Sequence, residues 1–341
     1  MYLIGKLWIL RAEFSSVLND ILRVKYDKMT TQLHSVNIAV LAYPGCLQSA
    51  VFGLQEMLQL ANTASVELGL EHRFITDILR WPDNFQSQIA CPHFSIIIIP
   101  PSLEHSFVFA PDENLVNWLT TQHKQGSVLA SACAGVFILA KTLLLKNKKV
   151  TTHWGLSEDF RTLYPAIELA TDAILINQGD IITAGGLMSW LDLGLELIAQ
   201  FGTPAIMRRV GKTLVIDTGK REQRYYQPFT PSLQHGDHNI VAVQHFIQDH
   251  FADPLTLSRL ADLASLTERT LQRRFIKATG LSPSQYLQRI RIQRACDLLE
   301  SSQQAFESIS TSVGYDDVGA CRKTFIKIIG LTPSEFRKRF H

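Results

Sequence analysis

The residue in this chain that is best placed to act as a nucleophile is Cys133, in the segment SACAG. The apolar residues before it predict a buried strand, and residues 136–145 predict a helix that begins near Gly135. A thiol at such a strand-to-helix turn lies beside a helix N-terminus, whose dipole lowers the pKa of the thiol and favours the thiolate. His153 follows in the segment TTHW, and a cysteine with a histidine is the minimum set for an activated nucleophile. These two residues could therefore form an activated cysteine nucleophile.

A second set of side chains has the chemistry of major-groove recognition. Leu271 and Phe275 are spaced i, i+4, so a helix through them buries one face and turns its polar residues outward. Arginine pairs with guanine and glutamine with adenine through two hydrogen bonds, and each pairing contributes about 1–3 kcal/mol of discrimination. On this helix and on a later one, the candidate DNA-contacting residues are Thr267, Arg269, Gln272, Arg273, Lys277, Arg322, Lys323 and Lys327.

The two helices are not expected to read DNA equally. The second one starts with Val318, Gly319 and Ala320, so only Arg322 and Lys323 are polar side chains long enough to reach the bases. The first helix is therefore expected to supply most of the sequence readout, and the second mainly contacts with phosphates and with DNA shape. Exposed basic residues on an isolated helix are usually only a solvated face, so these assignments depend on the elements that position the two helices.

Those elements are duplicated. Residues 274–289 read RFIKATGLSPSQYLQR and residues 324–339 read TFIKIIGLTPSEFRKR. The residues that recur at a constant offset of 50 positions are Phe275, Ile276, Lys277, Gly280, Leu281, Pro283 and Ser284. In each copy the glycine suits the left-handed position that ends a helix, and the Ser/Thr-Pro-Ser-Gln/Glu segment is a capping box that starts the next one. Such a period is typical of one supersecondary unit used twice.

The sequence before each copy completes a helix-turn-helix. In the first unit, residues 257–264 predict a short apolar helix, and Thr267 caps the helix that carries the basic residues. In the second unit, residues 306–313 predict the first helix and Asp317 caps the second. Residues 286–300 predict one continuous helix between the units, which would hold them at a fixed separation.

The chain before residue 217 follows a different plan, in which apolar strands such as SIIIIP alternate with helices from Val36 onward. Fully apolar strands separated by helices are typical of a mostly parallel sheet covered on both faces, which predicts an α/β sandwich. Glycine, proline and mixed charge then indicate a linker. The predicted divisions are an N-terminal extension at 1–34, the α/β domain at 35–217, the linker at 218–238 and an all-α domain with two helix-turn-helix units at 239–341.

Composition adds further bounds. The net charge of the 341 residues is +2, but the part from Asn239 onward has 14 basic and 10 acidic residues, so the positive charge lies with the repeat, as phosphate contact requires. Five cysteines form no CxxC pair, which favours a reducing cytoplasm over a disulfide framework. No run approaches the roughly 18–20 apolar residues of a membrane span.

Residues 1–34 are either an amphipathic helix packed on the main body or an untranslated upstream extension with Met29 as the true start.

The last hundred residues resemble the AraC/XylS family of transcription regulators. The resemblance rests on both helix-turn-helix units, the connecting RIRIQRACDLLE helix, the VGY turn of the second unit and the GLTPSEFR ending. It implies that both recognition helices enter successive major-groove segments on one face of the DNA, about 34 Å apart.

The first part of the chain resembles the PfpI, class I glutamine amidotransferase-like superfamily, through SACAG, TTHW and the later TAGG segment. The whole chain is similar to AraC-type regulators that carry such a domain at their N-terminus, often called GlxA-like. The resemblance implies a flavodoxin-like α/β sandwich in which Cys133 matches the nucleophile and His153 its partner. It also implies a sensor and dimerisation module rather than an enzyme.

Two departures from the catalytic pattern of that superfamily favour a vestigial site. Ala50 stands where the catalytic relatives carry an acidic residue that faces the thiol, and Pro101-Ser102 replaces a Gly-Gly pair that supplies backbone N–H groups. Cys133 either lines a functional pocket or packs as a small apolar side chain. The residues expected to line a small-molecule pocket are Cys133, His153, Trp154, Ser102 and Gly185.

These patterns lead to one expectation and two alternatives. We expect a ligand-responsive transcription regulator, an activator by resemblance, located in the cytoplasm. Its expected partners are double-stranded DNA at a promoter operator, a small-molecule effector, RNA polymerase and a second copy of the chain, with no membrane, metal or cofactor. The alternatives are a cysteine-dependent amidase or hydrolase domain fused to a DNA-binding module, and an architectural DNA-binding protein with an inert α/β domain.

Overall fold

The computed structural model describes residues 34–83, 92–219 and 222–341. The two interpretations of the N-terminal extension, including Met29 as a start, lie outside the described residues, as does Cys91. The chain divides into two compact units, Met1–Arg221 and Glu222–His341. This division falls within the segment 218–238, which the sequence predicts as a linker.

A six-stranded sheet forms the centre of the first unit. The strands of the unit are β1 (His34–Ala42), β2 (His72–Arg80), β3 (Ile96–Ile99), β4 (Val128–Ala132), β5 (Lys149–Val150), β6 (Glu168–Leu169), β7 (Leu175–Asn177) and β8 (Ile181–Ala184). The sheet has the order β2-β1-β3-β4-β8-β7, and all neighbours in it are parallel except β7 and β8. All four residues of β3 are fully buried, as a central strand with helices on both faces requires.

The described residues of the first unit form seven α-helices. They are α1 (Gln48–Glu67), α2 (Ser106–Phe109), α3 (Glu113–Lys124), α4 (Gly135–Lys141), α5 (Ser157–Leu163), α6 (Trp190–Phe201) and α7 (Pro204–Leu214). One group of packed helices contains α1, α6 and α7, and a second contains α2, α3 and α4. The order 2-1-3-4 followed by a fifth parallel strand is the flavodoxin-like one, so the predicted flavodoxin-like α/β sandwich is confirmed.

The segments after Cys133 differ from their predicted form. The predicted helix at 136–145 is shorter, because Leu143 takes a positive φ of 62° soon after α4 ends at Lys141. The KVTTHW segment contributes only the two residues of β5, which pair with β6 outside the main sheet. Thr151, Thr152 and His153 therefore lie in a loop, and Trp154 begins a short 3-10 helix that ends at Leu156. Helix α7 was not predicted, although Thr203 caps it and Pro204 begins it.

From His238 onward, the secondary structure of the second unit is all helical, as predicted. Its helices are α8 (His238–Asp249), α9 (Leu257–Leu263), α10 (Glu268–Thr279), α11 (Pro283–Ser301), α12 (Phe306–Ser312), α13 (Val318–Ile329) and α14 (Pro333–Phe340). Thr267 and Asp317 cap α10 and α13 through their side chains, and both predicted capping boxes form, at Ser282 and at Thr332. These contacts confirm the predicted starts of four helices.

Helix α11 belongs to two apolar cores, one for each helix-turn-helix. Tyr286 and Ile290 pack in the first core with Phe275, whereas Ile292 and Leu299 pack in the second. A helix of 19 residues is about 28 Å long, so α11 can serve both cores along its length.

The C-terminal part of the predicted linker packs against the second unit. Gln223 is buried, and the ring of Tyr226 lies 5.3 Å from that of Phe340. The N–H of Phe229 donates to Oε1 of Gln293 at 2.8 Å. Residues 222–237 are therefore structurally part of this unit.

Among the helices of the described ranges, none combines the length and the apolar composition that a membrane span requires.

Candidate functional site

The turn between β4 and α4 holds Cys133 in a strained backbone conformation. Its φ is +54°, a value that costs a non-glycine residue on the order of 1–3 kcal/mol and that is concentrated at functional sites. The surroundings fix this conformation from both sides. The N–H of Cys133 donates to the carbonyl of Ala184 at 2.7 Å, and the hydroxyl of Thr152 donates to the carbonyl of Cys133 at 2.9 Å. The TTHW segment thus helps to position the turn.

The thiol of Cys133 does not have the lowered pKa that its position suggests. Its residue is only 4% exposed, and this burial raises the pKa of the Cys133 thiol to about 11. A hydrogen bond from the N–H of Ala134 acts in the opposite direction but is the smaller effect. The expectation that the helix dipole favours the thiolate is therefore wrong, because desolvation of the charged form outweighs the field of a seven-residue helix.

His153 does not form a catalytic pair with Cys133. Nδ1 of His153 accepts a hydrogen bond from the N–H of Gly155 at 3.0 Å, and its ring lies 5.0 Å from that of Trp154. Half-burial, and then the neighbouring His105, lower the pKa of the His153 imidazole, which favours its neutral form. Within the described part of the chain, no hydrogen bond joins the thiol to this imidazole.

The predicted pocket residues lie where an open parallel sheet places ligands. Ser102 follows β3, Cys133 follows β4 and Gly185 follows β8, while His153 and Trp154 lie in the loop after β5. Ligands of such sheets bind at the carboxyl ends of the strands, next to the point where the strand order reverses. Here that point lies between β1 and β3.

Two of these residues have clear structural partners. The hydroxyl of Ser102 is within 2.8 Å of the carbonyl of Gly45 and joins the loop after β3 to the loop after β1. The N–H of Gly185 donates to the carbonyl of Ile174 at 2.7 Å. Ala50 lies fully buried in the first turn of α1, so this position supplies no carboxylate.

Tyr43, which was not predicted from the sequence, lies at the same end of the sheet. It directly follows β1 and is 3% exposed, and its hydroxyl donates to the carbonyl of Pro100 at 2.6 Å. Burial, followed by interaction with Cys46 and Cys133, raises the pKa of the Tyr43 phenol. Its place after the first strand of the predicted sheet was the available signal.

In the second unit, α10 presents three polar side chains to solvent. Leu271 and Phe275 are fully buried, whereas Arg269, Gln272 and Arg273 are exposed. Across the described ranges, these three side chains form no hydrogen bond or ion pair with the rest of the chain. They are therefore free to meet an external partner. Thr267, by contrast, is engaged as the N-cap of α10.

The equivalent helix α13 is less free. Nη2 of Arg322 lies 3.4 Å from Oε1 of Glu307, and its guanidinium lies over the ring of Phe306 at 5.6 Å. Both partners belong to α12, the first helix of the same unit. Lys323 and Lys327 are exposed, as is Lys277 on α10.

Two family models match the chain, one in each unit. Residues 59–200 match the DJ-1/PfpI family, and residues 260–339 match a helix-turn-helix domain. The chain therefore combines a DJ-1/PfpI domain with an AraC-type helix-turn-helix domain, which confirms both resemblances inferred from the motifs.

Several curated proteins are similar over most of the chain. The HTH-type transcriptional regulator CdhR of Pseudomonas aeruginosa is 27% identical over 226 residues, which cover 65% of this chain and 66% of that protein. The regulator ArgR of the same organism is 26% identical over 219 residues, 63% of this chain and 66% of that protein. The matches thus span just under two thirds of these relatives. Among solved structures, Drosophila melanogaster DJ-1beta is 17% identical with a TM-score of 0.44, covering 54% of this chain and 99% of that one.

Proposed function

We propose that this chain, with its DJ-1/PfpI domain and its AraC-type helix-turn-helix domain, is a sequence-specific DNA-binding regulator of transcription. The observation that carries the proposal is the duplicated helix-turn-helix, in which α10 turns three unpaired polar side chains to solvent within the described chain. The similar proteins CdhR and ArgR are named as transcriptional regulators, which supports the same role here.

The two units would read DNA unequally. Arg269, Gln272 and Arg273 are unpaired and have the donor geometry that recognises guanine and adenine in the major groove. Arg322 must first leave Glu307 and Phe306, so its contact with a base is offset by the loss of contacts within its own unit. Lys277, Lys323 and Lys327 suit phosphate contact, which contributes affinity without sequence preference.

Arg273→Ala is expected to weaken binding to cognate DNA roughly 5- to 150-fold, because one bidentate base contact contributes about 1–3 kcal/mol. Binding to random-sequence duplex should change by less than about threefold. Cognate duplex would first be selected with the full-length protein from a random double-stranded library, and affinities then measured by gel shift.

Lys327→Ala is the matched control for this measurement. It should weaken binding to cognate and random duplex by similar factors and reduce the slope of log affinity against log salt by about 1, because it removes a phosphate contact. Equal losses on both duplexes for Arg273→Ala would show that Arg273 does not read a base.

The proposal extends to the first unit, which we take to be a sensor. The loops at the carboxyl ends of β1, β3 and β4 gather Tyr43, Ser102 and Cys133 at the position where this type of sheet binds ligands. A small molecule bound there would change the affinity of the protein for DNA, and a homodimer would transmit this change between the two units. The protein would act in the cytoplasm and would activate transcription by contact with RNA polymerase. A thermal-shift screen of small nitrogenous metabolites on the full chain tests for such a ligand.

The strained turn at Cys133 keeps a cysteine-dependent amidase as the second candidate. The raised pKa of the Cys133 thiol opposes this function. A thiol with a pKa of about 11 is about 0.01% thiolate at pH 7, whereas an ordinary cysteine is about 3% thiolate. Alkylation of Cys133 by iodoacetamide is accordingly expected to be at least roughly 300-fold slower than that of a free cysteine at pH 7 and still to accelerate at pH 10.

Mass spectrometry of the peptide that contains Cys133 would measure this rate, with the urea-unfolded chain as control. A rate that levels off below pH 8 would instead reveal an activated thiolate and favour the amidase.

A further inference from the structure

The two copies of the repeat share one apolar residue that packing does not explain. Phe275 and Phe325 are fully buried, and the recurring glycines have the positive φ that ends a helix. The shared isoleucines are different: Ile276 is 49% exposed and Ile326 is 40% exposed. An apolar side chain thus occupies the same solvent-facing position in both units.

Ile276 lies on the same face of α10 as the side chains that are proposed to read the bases. Successive residues of an α-helix are about 100° apart, which places Ile276 about 20° from Arg269, 40° from Gln272 and 60° from Arg273 around the axis. Phe275, in contrast, faces the core. The spacing of the four outward residues is i, i+3, i+4, i+7, the pattern of one helix face. Ile276 is therefore one turn further along the same face as Gln272 and Arg273.

The same relation holds on α13. Ile326 lies about 20° from Gly319, 40° from Arg322 and 60° from Lys323 around the helix axis. Arg322 and Lys323 are exposed and Cys321 and Phe325 are buried, so this face also points away from the core. The isoleucine is the apolar residue that these two outward faces share. Apart from the neighbouring Lys277 and Lys327, the other exposed residues of the two helices differ.

The chemistry of the major groove supplies one apolar partner for such a side chain. Thymine presents a 5-methyl group there, whereas the other edges are hydrogen-bond donors and acceptors. Burying a methyl group against an aliphatic side chain is favourable, and the polar neighbours on the same face would meet the adjacent bases.

We propose that Ile276 and Ile326 determine specificity for thymine, each by contact with a 5-methyl group in its own half of the DNA site. The inference rests on the proposed DNA-binding function and deepens it. It predicts a thymine preference in both half-sites even though the polar readers of the two units differ.

The test uses the full-length chain and duplex DNA selected from a random double-stranded library. At each selected thymine in turn, deoxyuridine would replace thymidine, which removes only the methyl group. For the unchanged protein, at least one replacement in each half-site should lower affinity about fourfold, the effect of about one buried CH₂ group. In the first half-site, the affinity of Ile276→Ala for the thymine duplex should equal the affinity of the unchanged protein for the uracil duplex. Replacement of that thymine by uracil should then lower the affinity of Ile276→Ala no further. Ile326→Ala should behave in the same way in the second half-site.

The matched control is Lys277→Ala, which should lower affinity by the same factor on thymine and uracil duplexes. Circular dichroism of each variant should be unchanged, because the substituted side chains are exposed. Equal affinity of the unchanged protein for thymine and uracil at every position would overturn the inference, as would a full uracil penalty in both isoleucine variants. Failure of the library to yield any preferred sequence would instead overturn the proposed function itself.

Discussion

Arg291→Ala is expected to lower the free energy of unfolding of the second unit by roughly 2–3 kcal/mol, because it removes two hydrogen bonds from a charged donor to partly buried carbonyls. Nε of Arg291 donates to the carbonyl of Phe251 at 2.7 Å, and Nη2 donates to the carbonyl of Asp253 at 2.9 Å. The guanidinium also lies 5.4 Å from the ring centre of Tyr315. Burial lowers the pKa of Arg291, which agrees with its partly enclosed position.

These contacts matter for DNA binding because of where the partners lie. Phe251 and Asp253 belong to the segment between α8 and α9, which leads into the first helix-turn-helix. Tyr315 lies between α12 and α13, in the turn of the second. Arg291 projects from the connecting helix α11, donates hydrogen bonds to the first segment and lies over the Tyr315 ring of the second. Its loss should therefore weaken binding to duplex that spans two half-sites more than binding to duplex with only the first half-site.

Arg294→Ala is the matched control on the same helix. Nη1 of Arg294 lies 3.5 Å from Oδ2 of Asp297, and both side chains are about half exposed. An exposed ion pair of this kind contributes about 0–1 kcal/mol. The Arg294 guanidinium also lies 5.7 Å from the ring centre of Phe251, and such a contact at an exposed site contributes about 0.5–1 kcal/mol. This variant keeps both hydrogen bonds of Arg291 and should therefore lose less stability than Arg291→Ala. Arg291→Lys should fall between the two, because an ammonium keeps the charge but does not reproduce two diverging N–H donors.

The sequence allows the measurement to be confined to one unit. All five tryptophans lie at or before position 190, so tryptophan fluorescence reports the first unit and should not change in these variants. Amide hydrogen exchange of peptides from α11 and α13 reports the second unit directly. An exchange free energy in Arg291→Ala within about 0.5 kcal/mol of that in Arg294→Ala would contradict the assigned role.

Much of the second unit could be predicted because its helix ends are encoded locally. Thr267, Ser282 and Thr332 each cap a helix whose start lies one residue later, and a short polar side chain followed by a helical pattern is enough to predict this. The role of Arg291 could not be predicted in this way. In the segment RIRIQR, charged and apolar residues alternate on a helix that packs against two cores, so periodicity does not say which arginine is enclosed.

The site around Cys133 shows a different limit. The motif correctly placed the cysteine at a strand-to-helix turn, because an apolar strand and the following helix are local features. Its pKa depends on how many distant segments cover the thiol, and this covering comes from long-range packing that a motif does not encode. The same reason explains why Tyr43 was missed, since its partner Pro100 is 57 positions away in the chain.

Gly314→Ala is expected to destabilise the second unit by roughly 2–5 kcal/mol, through a strained backbone of about 1–2 kcal/mol and a steric clash of about 1–3 kcal/mol. Gly314 has a φ of +88° in the VGY turn of the second helix-turn-helix. A Cβ at this position would lie 2.6 Å from the carbonyl oxygen of Ala252 and 2.9 Å from its Cα. These are backbone atoms, which cannot rotate away as a side chain can. The turn must therefore move from the α8–α9 segment, at the junction that Arg291 also holds.

Gly280→Ala separates the two contributions. Gly280 ends α10 with a φ of +72°, but a Cβ there would meet no atom within 4 Å. This variant carries the backbone strain alone, so about 1–2 kcal/mol of destabilisation is expected. The difference between the two variants, measured by hydrogen exchange of peptides from α11 and α13, isolates the close approach of the two chain segments. Equal effects of both substitutions would mean that the VGY turn can move away from the α8–α9 segment without a loss of stability. The two helix-turn-helix units would then not be rigidly joined. A large difference, together with a selective loss of binding to DNA that spans both half-sites, would mean that the spacing of the two recognition helices is fixed before DNA is met.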